Sequence, residues 1–154
     1  MKLTKTLFAI SAISIFAVAC KSTGFNFGGE TTNLTDIKKV CVVPHKVEFR
    51  NIALENLYVK AYKEQGFAVN TIKEAKDAKD NNCSHLAEYK VRHSDGSEFS
   101  NMSLVFYRFN KYGVKVKTAV ADWRNSNIKL DPRNEEQALP IISKVTMMSI
   151  TGKQ

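Results

Sequence analysis

Residues 38–72 constrain this fold more than any other stretch, because they spell a complete strand-helix-strand unit. Val40-Cys41-Val42-Val43 is an unbroken apolar run closed by Pro44, which suits a central strand covered on both faces. Leu54, Leu57, Tyr58, Ala61 and Tyr62 then recur at spacings of 3, 1, 3 and 1, so they line one face of a helix. Gly66 stands where a helix C-terminal glycine belongs, and Phe67-Ala68-Val69-Asn70-Thr71-Ile72 supplies the second strand. A crossover of this kind sets the two strands parallel in one sheet.

The remainder extends that sheet. Lys73 to Asn82 is highly charged with alanines at 75 and 78, a short exposed helix or a loop. Ala87 to Arg92 alternates apolar and polar residues, the mark of a half-buried strand, and Ser94-Asp95-Gly96-Ser97 supplies turn chemistry. Leu104–Phe109 and Val114–Ala121 flank Asn110-Lys111-Tyr112-Gly113, a hairpin loop in which Gly113 is free to take positive φ. Pairing Phe109 with Val114 puts Tyr107 opposite Val116 and Val105 opposite Thr118, so one face of the hairpin is apolar. Asp131-Pro132 reads as a helix N-cap and first turn. Ala138, Ile141, Ile142 and Val145 continue that helix to Gly152, with Pro140 either kinking it or marking its true start. The expected class is therefore α/β (α+β), a two-layer sandwich. It has a mixed sheet of about five strands with helices on one face, in the order β-α-β-(α)-β-β-β-α. With 154 residues, 44% hydrophobic, and only 7 Gly and 3 Pro, the composition suits one such domain, spanning 38–154.

What precedes the domain is an address. Lys2 and Lys5 stand ahead of Leu7–Ala19, an uncharged apolar run of 13 residues. It is too short to span a bilayer, which takes about 20 residues, but has the charge step, length and small-residue end of a secretory signal. The run ends in Ala17-Val18-Ala19-Cys20. This resembles the lipobox of bacterial lipoproteins, although Ala17 stands where leucine is usual. The resemblance implies cleavage after residue 19, a thioether-linked diacylglycerol on Cys20 and a third acyl chain, such as palmitate, on its amine. Each buried methylene contributes about 0.8 kcal/mol, so three chains hold firmly where one is marginal. Lys21-Ser22 lacks the Asp that retains Gram-negative lipoproteins at the inner membrane, which implies the outer membrane, facing the periplasm. The plain alternative is a secretory signal with a cysteine nearby by chance. Cleavage takes 19 residues and two cations from 154 residues and a charge of +8, leaving 135 and +6. Residues 20–37 then read as the lipidated cysteine and a flexible tether, rich in Gly, Ser, Thr and Asn. Phe25 and Phe27 are its exceptions, placed to touch lipid headgroups or to tuck onto the domain.

The odd count of three cysteines follows from this address. With Cys20 consumed by lipid, Cys41 and Cys83 are left in an oxidising compartment, where a structural disulfide is the expected outcome. A redox-active pair would need the close Cys-x-x-Cys spacing that depresses a thiol pKa, and that spacing is missing.

Chemistry is sparse. His45, His85 and His93 are the only histidines, and a cluster of His85, His93 and Asp95 on one sheet face is the sole metal or acid/base arrangement to weigh. It lacks the spacing of a zinc site, so no metal and no cofactor are expected. No nucleophile elbow or glycine-rich phosphate loop occurs in the sequence. Asp122-Trp123-Arg124 marks either a pocket rim or a core edge.

The basic hairpin stands out more. Arg108, Lys111, Lys115 and Lys117 fall between Phe99 and Ala121 with no Asp or Glu. The register above places Arg108 opposite Lys115, a repulsive pair needing an anion. Glu88 or solvent is one candidate; lipopolysaccharide phosphate, lipid headgroups or peptidoglycan carboxylates are others. Nucleic acid is not expected, because strand parity sends Tyr107 and Phe109 away from Arg108.

The element order loosely resembles the small α/β accessory lipoproteins of the outer membrane. The leading expectation is a non-enzymatic, membrane-anchored lipoprotein binding an envelope component or serving an envelope assembly. The alternatives are a small periplasmic hydrolase or metal-dependent enzyme using His85 or His93, and a purely structural envelope subunit.

Overall fold

A computed structural model of the chain describes residues 23–91 and 98–153. The signal segment, Cys20, His93 and the Ser94–Ser97 turn lie outside the described residues. A single six-stranded mixed sheet runs β1(Thr23–Gly29), β6(Lys115–Asn125), β5(Asn101–Phe109), β4(His85–Val91), β2(Lys39–Pro44), β3(Ala68–Thr71) from edge to edge. Helices α1(Ile52–Glu64) and α2(Glu135–Thr151) pack together on one face. Strand β2 is parallel to both β3 and β4, and the remaining pairings are antiparallel.

The strand-helix-strand unit forms for the reasons its sequence gives. The Asn51 side chain caps α1 by accepting the Leu54 N–H at 3.0 Å, and Gly66 leaves the helix at φ +92°. The apolar face of α1, with Leu54, Leu57, Tyr58, Ala61 and Tyr62 all buried, lies on Val40, Val42, Ala87 and Tyr89 of the sheet. Ile142, Val145 and Met148 of α2 close the same layer over Phe106, Ala121 and Trp123. Each of the larger aliphatic side chains among them contributes about 1.5–3 kcal/mol by leaving water. The polar tips buried with them find partners: Tyr62 Oη meets Ser149 Oγ at 3.1 Å, and Tyr58 Oη donates to Met102 Sδ at 3.3 Å.

The sheet has one strand more than expected, and the extra one comes from the supposed tether. Thr23–Gly29 is not a spacer; it pairs along its whole length with β6, Thr23 opposite Asn125 and Gly29 opposite Ala119. Phe25 and Phe27 pack against the core on the helix side, which is the apolar gain that a Gly- and Asn-rich stretch hides. Gly29, at φ +119°, has the Thr118 carbonyl oxygen only 2.3 Å from where a Cβ would sit, so composition that reads as flexibility is here a steric requirement.

The hairpin register also differs. Phe109 faces Lys115 rather than Val114, because the Asn110 side chain accepts both the Tyr112 and the Val114 N–H at 2.9 Å and draws Val114 into the loop. Further along, Thr118 is an extra residue between the pairs Tyr107–Lys117 and Phe106–Ala119. This bulge restores the alternation that buries Ala119, Ala121 and Trp123. Arg108 therefore faces Val116, not Lys115, and the expected repulsive pair does not exist.

Helix α2 starts later than expected. Asn134 caps it through the Gln137 N–H, while Asp131 is engaged by Arg133 through both guanidinium and backbone. Pro140 lies within the helix at an exposed position, where its missing N–H falls on the solvent side.

A smaller cluster sits on the opposite face, where Val43, Ile72, Ala78 and Leu86 surround Cys41. There Cys41 and Cys83 form a disulfide with Cα atoms 5.7 Å apart, tying β2 to the approach of β4.

Candidate functional site

Away from the helices, no helix among the described residues covers β1, β6 and β5. Strand register sets out what this face presents. Asn26, Asp122, Ser103 and Lys90 form one transverse row across β1, β6, β5 and β4, and Arg124 and Asn101 sit side by side in the next. Together these six line an open depression of about 500 Å³. The residue types are hydrogen-bond donors and acceptors of both charges. The row has the makings of a polar binding surface, with donors and acceptors of both charges set side by side by the register.

Further up the same face the buried carboxylate of Glu88 gathers its neighbours. His45 Nδ1 lies 2.9 Å from Oε1 and Lys115 Nζ donates to Oε2 at 3.2 Å. The Lys115 ammonium also rests 4.4 Å above the Tyr107 ring. Burial and the neighbouring Glu88 carboxylate together push the Tyr107 hydroxyl above its ordinary range.

A second buried carboxylate is structural. Glu55, on α1, accepts the Arg50 guanidinium at 3.0 and 3.1 Å and the Tyr89 hydroxyl at 2.9 Å, while Tyr89 Oη accepts the Asn51 N–H. This clip fixes the entry to α1. The Glu55 carboxylate raises the Arg50 pKa, whereas Tyr89 is raised chiefly by burial.

At the far end of β4, His85 stacks on Phe106 with ring centroids 5.3 Å apart. Its Nδ1 is 3.0 Å from Ser84 Oγ, which already accepts the Lys38 and Lys39 N–H groups at 2.9 Å. The same hydroxyl donates to the Lys39 carbonyl oxygen at 3.0 Å, so Ser84 ties the start of β2 to the start of β4 beside the ring. Burial, opposed by Asp36 and assisted by Arg108, lowers the His85 pKa and favours the neutral imidazole. A cleft of about 600 Å³ beside it includes Asp36, Lys38, Arg108 and Thr118 in its walls.

The four cations expected to act together are dispersed. Lys115 and Lys117 lie on the uncovered face, Lys111 is at the hairpin tip above Tyr112, and Arg108 is on the helix side facing the His85 cleft. His45 and His85 are likewise apart, and no group of three or more His, Cys, Asp or Glu suited to a metal occurs among the described residues. No described helix is long and apolar enough to cross a membrane. Sequence reasoning missed the Asn26–Lys90 row because β1 itself was missed. Glu88 was named only as a neighbour, although its place in a strictly alternating strand puts it on the face of Lys115.

These features define a two-layer α/β domain with a polar uncovered sheet face. No protein-family model matches the chain, and no curated protein matches it. Among solved structures, the PelC dodecamer from Paraburkholderia phytofirmans in space group P6 has a similar fold. It aligns with a TM-score of 0.50 and 15% identity over 83% of this chain and 98% of that one. A point-substituted PelC dodecamer from the same organism, in space group C2, aligns with a TM-score of 0.46 and 16% identity over 82% and 96%. The likeness is one of fold.

Proposed function

We propose that this chain is a lipid-anchored protein of the bacterial envelope, held through Cys20 on the periplasmic side of the outer membrane. Its α/β domain would serve there, without catalysis, as an accessory subunit of an envelope assembly. The observation that carries the reading is the Cys41–Cys83 bridge. A structural disulfide supports export to an oxidising compartment, and the third cysteine of the chain stands at the end of a lipobox-type run. The fold shared with a protein that forms dodecamers supports assembly in several copies. The uncovered face of β1, β6 and β5 and the open edges of β1 and β3 are the surfaces available for it. An anionic envelope component remains a partner for Lys111 and Lys117, which make no ion pair among the described residues, whereas Lys115 already has Glu88.

Cell fractionation of the wild type and Cys20→Ala, with intact mass of the purified chains, tests the anchor. The wild type should sediment with outer membranes carrying acyl mass, and the variant should be released. A wild type without acyl mass, or a variant still bound, overturns the anchor. Native mass spectrometry of the detergent-solubilised chain should find a multimer; a strict monomer removes the assembly role.

A further inference from the structure

The point where the chain enters the sheet decides which end of the domain meets the membrane. Cys20 precedes Thr23 by three residues, and three residues reach at most about 10 Å even when fully extended. Thr23 is already paired with Asn125 at the end of β6. If Cys20 carries lipid, as proposed above, the headgroup layer begins within that reach of the β1–β6 end of the sheet. No flexible spacer remains to let the domain stand away or turn over.

That end has the surface such a position requires. The C-terminal ends of β2, β4 and β6 and the N-terminal ends of β1 and β5 all lie there. Beyond β6, Ser126, Asn127, Ile128 and Lys129 form an exposed loop held firmly at both ends. Asn127 N–H donates to Asn125 Oδ1 at 2.9 Å, and Leu130 exchanges two backbone hydrogen bonds with Phe99. Ile128 projects from it 42% exposed. Beyond β2, Val47, Phe49 and Ile52 are exposed as well, with Lys46 over the Phe49 ring. Among the described residues, four of the eight large exposed apolar side chains are thus gathered at one end. Arg124, Lys129 and Lys46 accompany them, and so do Glu48, Glu98 and Glu136; none of these six makes an ion pair among the described residues. The charge is mixed, so apolar side chains entering the headgroup boundary, with flanking cations on phosphates, fit the surface better than a purely electrostatic attachment.

We propose that the loop 126–129 and the 47–52 segment rest directly on the phospholipid leaflet that anchors Cys20, fixing the domain upright with its sheet strands pointing away from the membrane. The basic hairpin tip, with Tyr112 and Val114 exposed, then stands about 30 Å from the anchor, one strand length away, facing the periplasm. Its partner is consequently not the anchoring leaflet.

The test uses the full lipidated chain in vesicles of phosphatidylethanolamine and phosphatidylglycerol. Ile128→Cys, Phe49→Cys and Tyr112→Cys each add one free thiol for an environment-sensitive fluorophore, and a spin-labelled phospholipid serves as quencher. Labels at 128 and 49 should lose most of their emission while the label at 112 keeps its own. Equal quenching at all three positions, or quenching at 112 alone, overturns the orientation. Hydrogen exchange on the unsubstituted chain gives an independent readout: amides of 126–129 should slow on vesicles relative to detergent, and those of 110–114 should not. A chain whose mass shows no acyl groups on Cys20 overturns the anchor and this proposal together, whereas an acylated chain with the wrong quenching pattern overturns the orientation alone.

Discussion

Lys115 on β6 reaches across the full width of β5 to Glu88 on β4, closing a 3.2 Å ion pair over the ring of Tyr107. Three strands are tied by one side chain, and the tyrosine hydroxyl is held in the field of the carboxylate. Glu88→Gln should therefore lower the ionisation midpoint of Tyr107. The midpoint is read from phenolate absorbance against a Tyr107→Phe background. Because Lys115 is 37% exposed, the loss of stability should be small, about 1 kcal/mol in urea unfolding. An unmoved tyrosine titration would show that burial alone sets it.

His85 offers two opposed substitutions. Arg108 depresses its pKa and Asp36 raises it, so Arg108→Gln should move the histidine titration upward and Asp36→Asn downward, followed by ring proton shifts. The sign for stability follows from the direction. A folded-state pKa below the ordinary 6.5 means the unfolded chain takes up the proton first as pH falls. The contribution is complete above pH 6.5 and is lost toward the depressed folded value. Arg108→Gln should narrow that loss.

The disulfide closes a loop of 42 residues and should be the largest single covalent contribution. Cys83→Ser should cost up to about 4 kcal/mol, measured as a fall in the denaturant midpoint. Alkylation of the unfolded wild-type chain without reductant should modify neither Cys41 nor Cys83; modification of both would remove the bridge.

Two neighbouring glycines separate composition from geometry. A Cβ at Gly28 meets nothing within 4 Å, whereas one at Gly29 meets the Thr118 carbonyl oxygen at 2.3 Å with φ at +119°. Gly29→Ala should cost about 1–3 kcal/mol and speed amide exchange along β1, and Gly28→Ala should leave both nearly unchanged. Equal effects would contradict the close approach of β1 to the bulge.

The parts of this fold legible from sequence were those fixed by local pattern. The spacing of Leu54, Leu57, Tyr58, Ala61 and Tyr62 gave α1, the apolar run at Val40 gave the inner strand, and Gly66 and Gly113 stand where positive φ occurs. What escaped depended on partners far along the chain. β1 has only two aromatic residues to announce it and is a strand because β6 is there to receive it. The hairpin register turned on one side chain, Asn110, and the basic cluster dispersed once the one-residue slip and the Thr118 bulge redistributed its members. The polar row was invisible for the same reason, since Asn26 joins it only through β1.

The pairing of Thr23 with Asn125 joins positions 102 apart, from 23 to 125. The first strand of the sheet in chain order is thus the last able to find its neighbour. Until β6 is in place, β1 has no ladder to join. The long loop closed by β1 is in this sense a timing element, which makes this edge of the sheet the last to close as the chain folds.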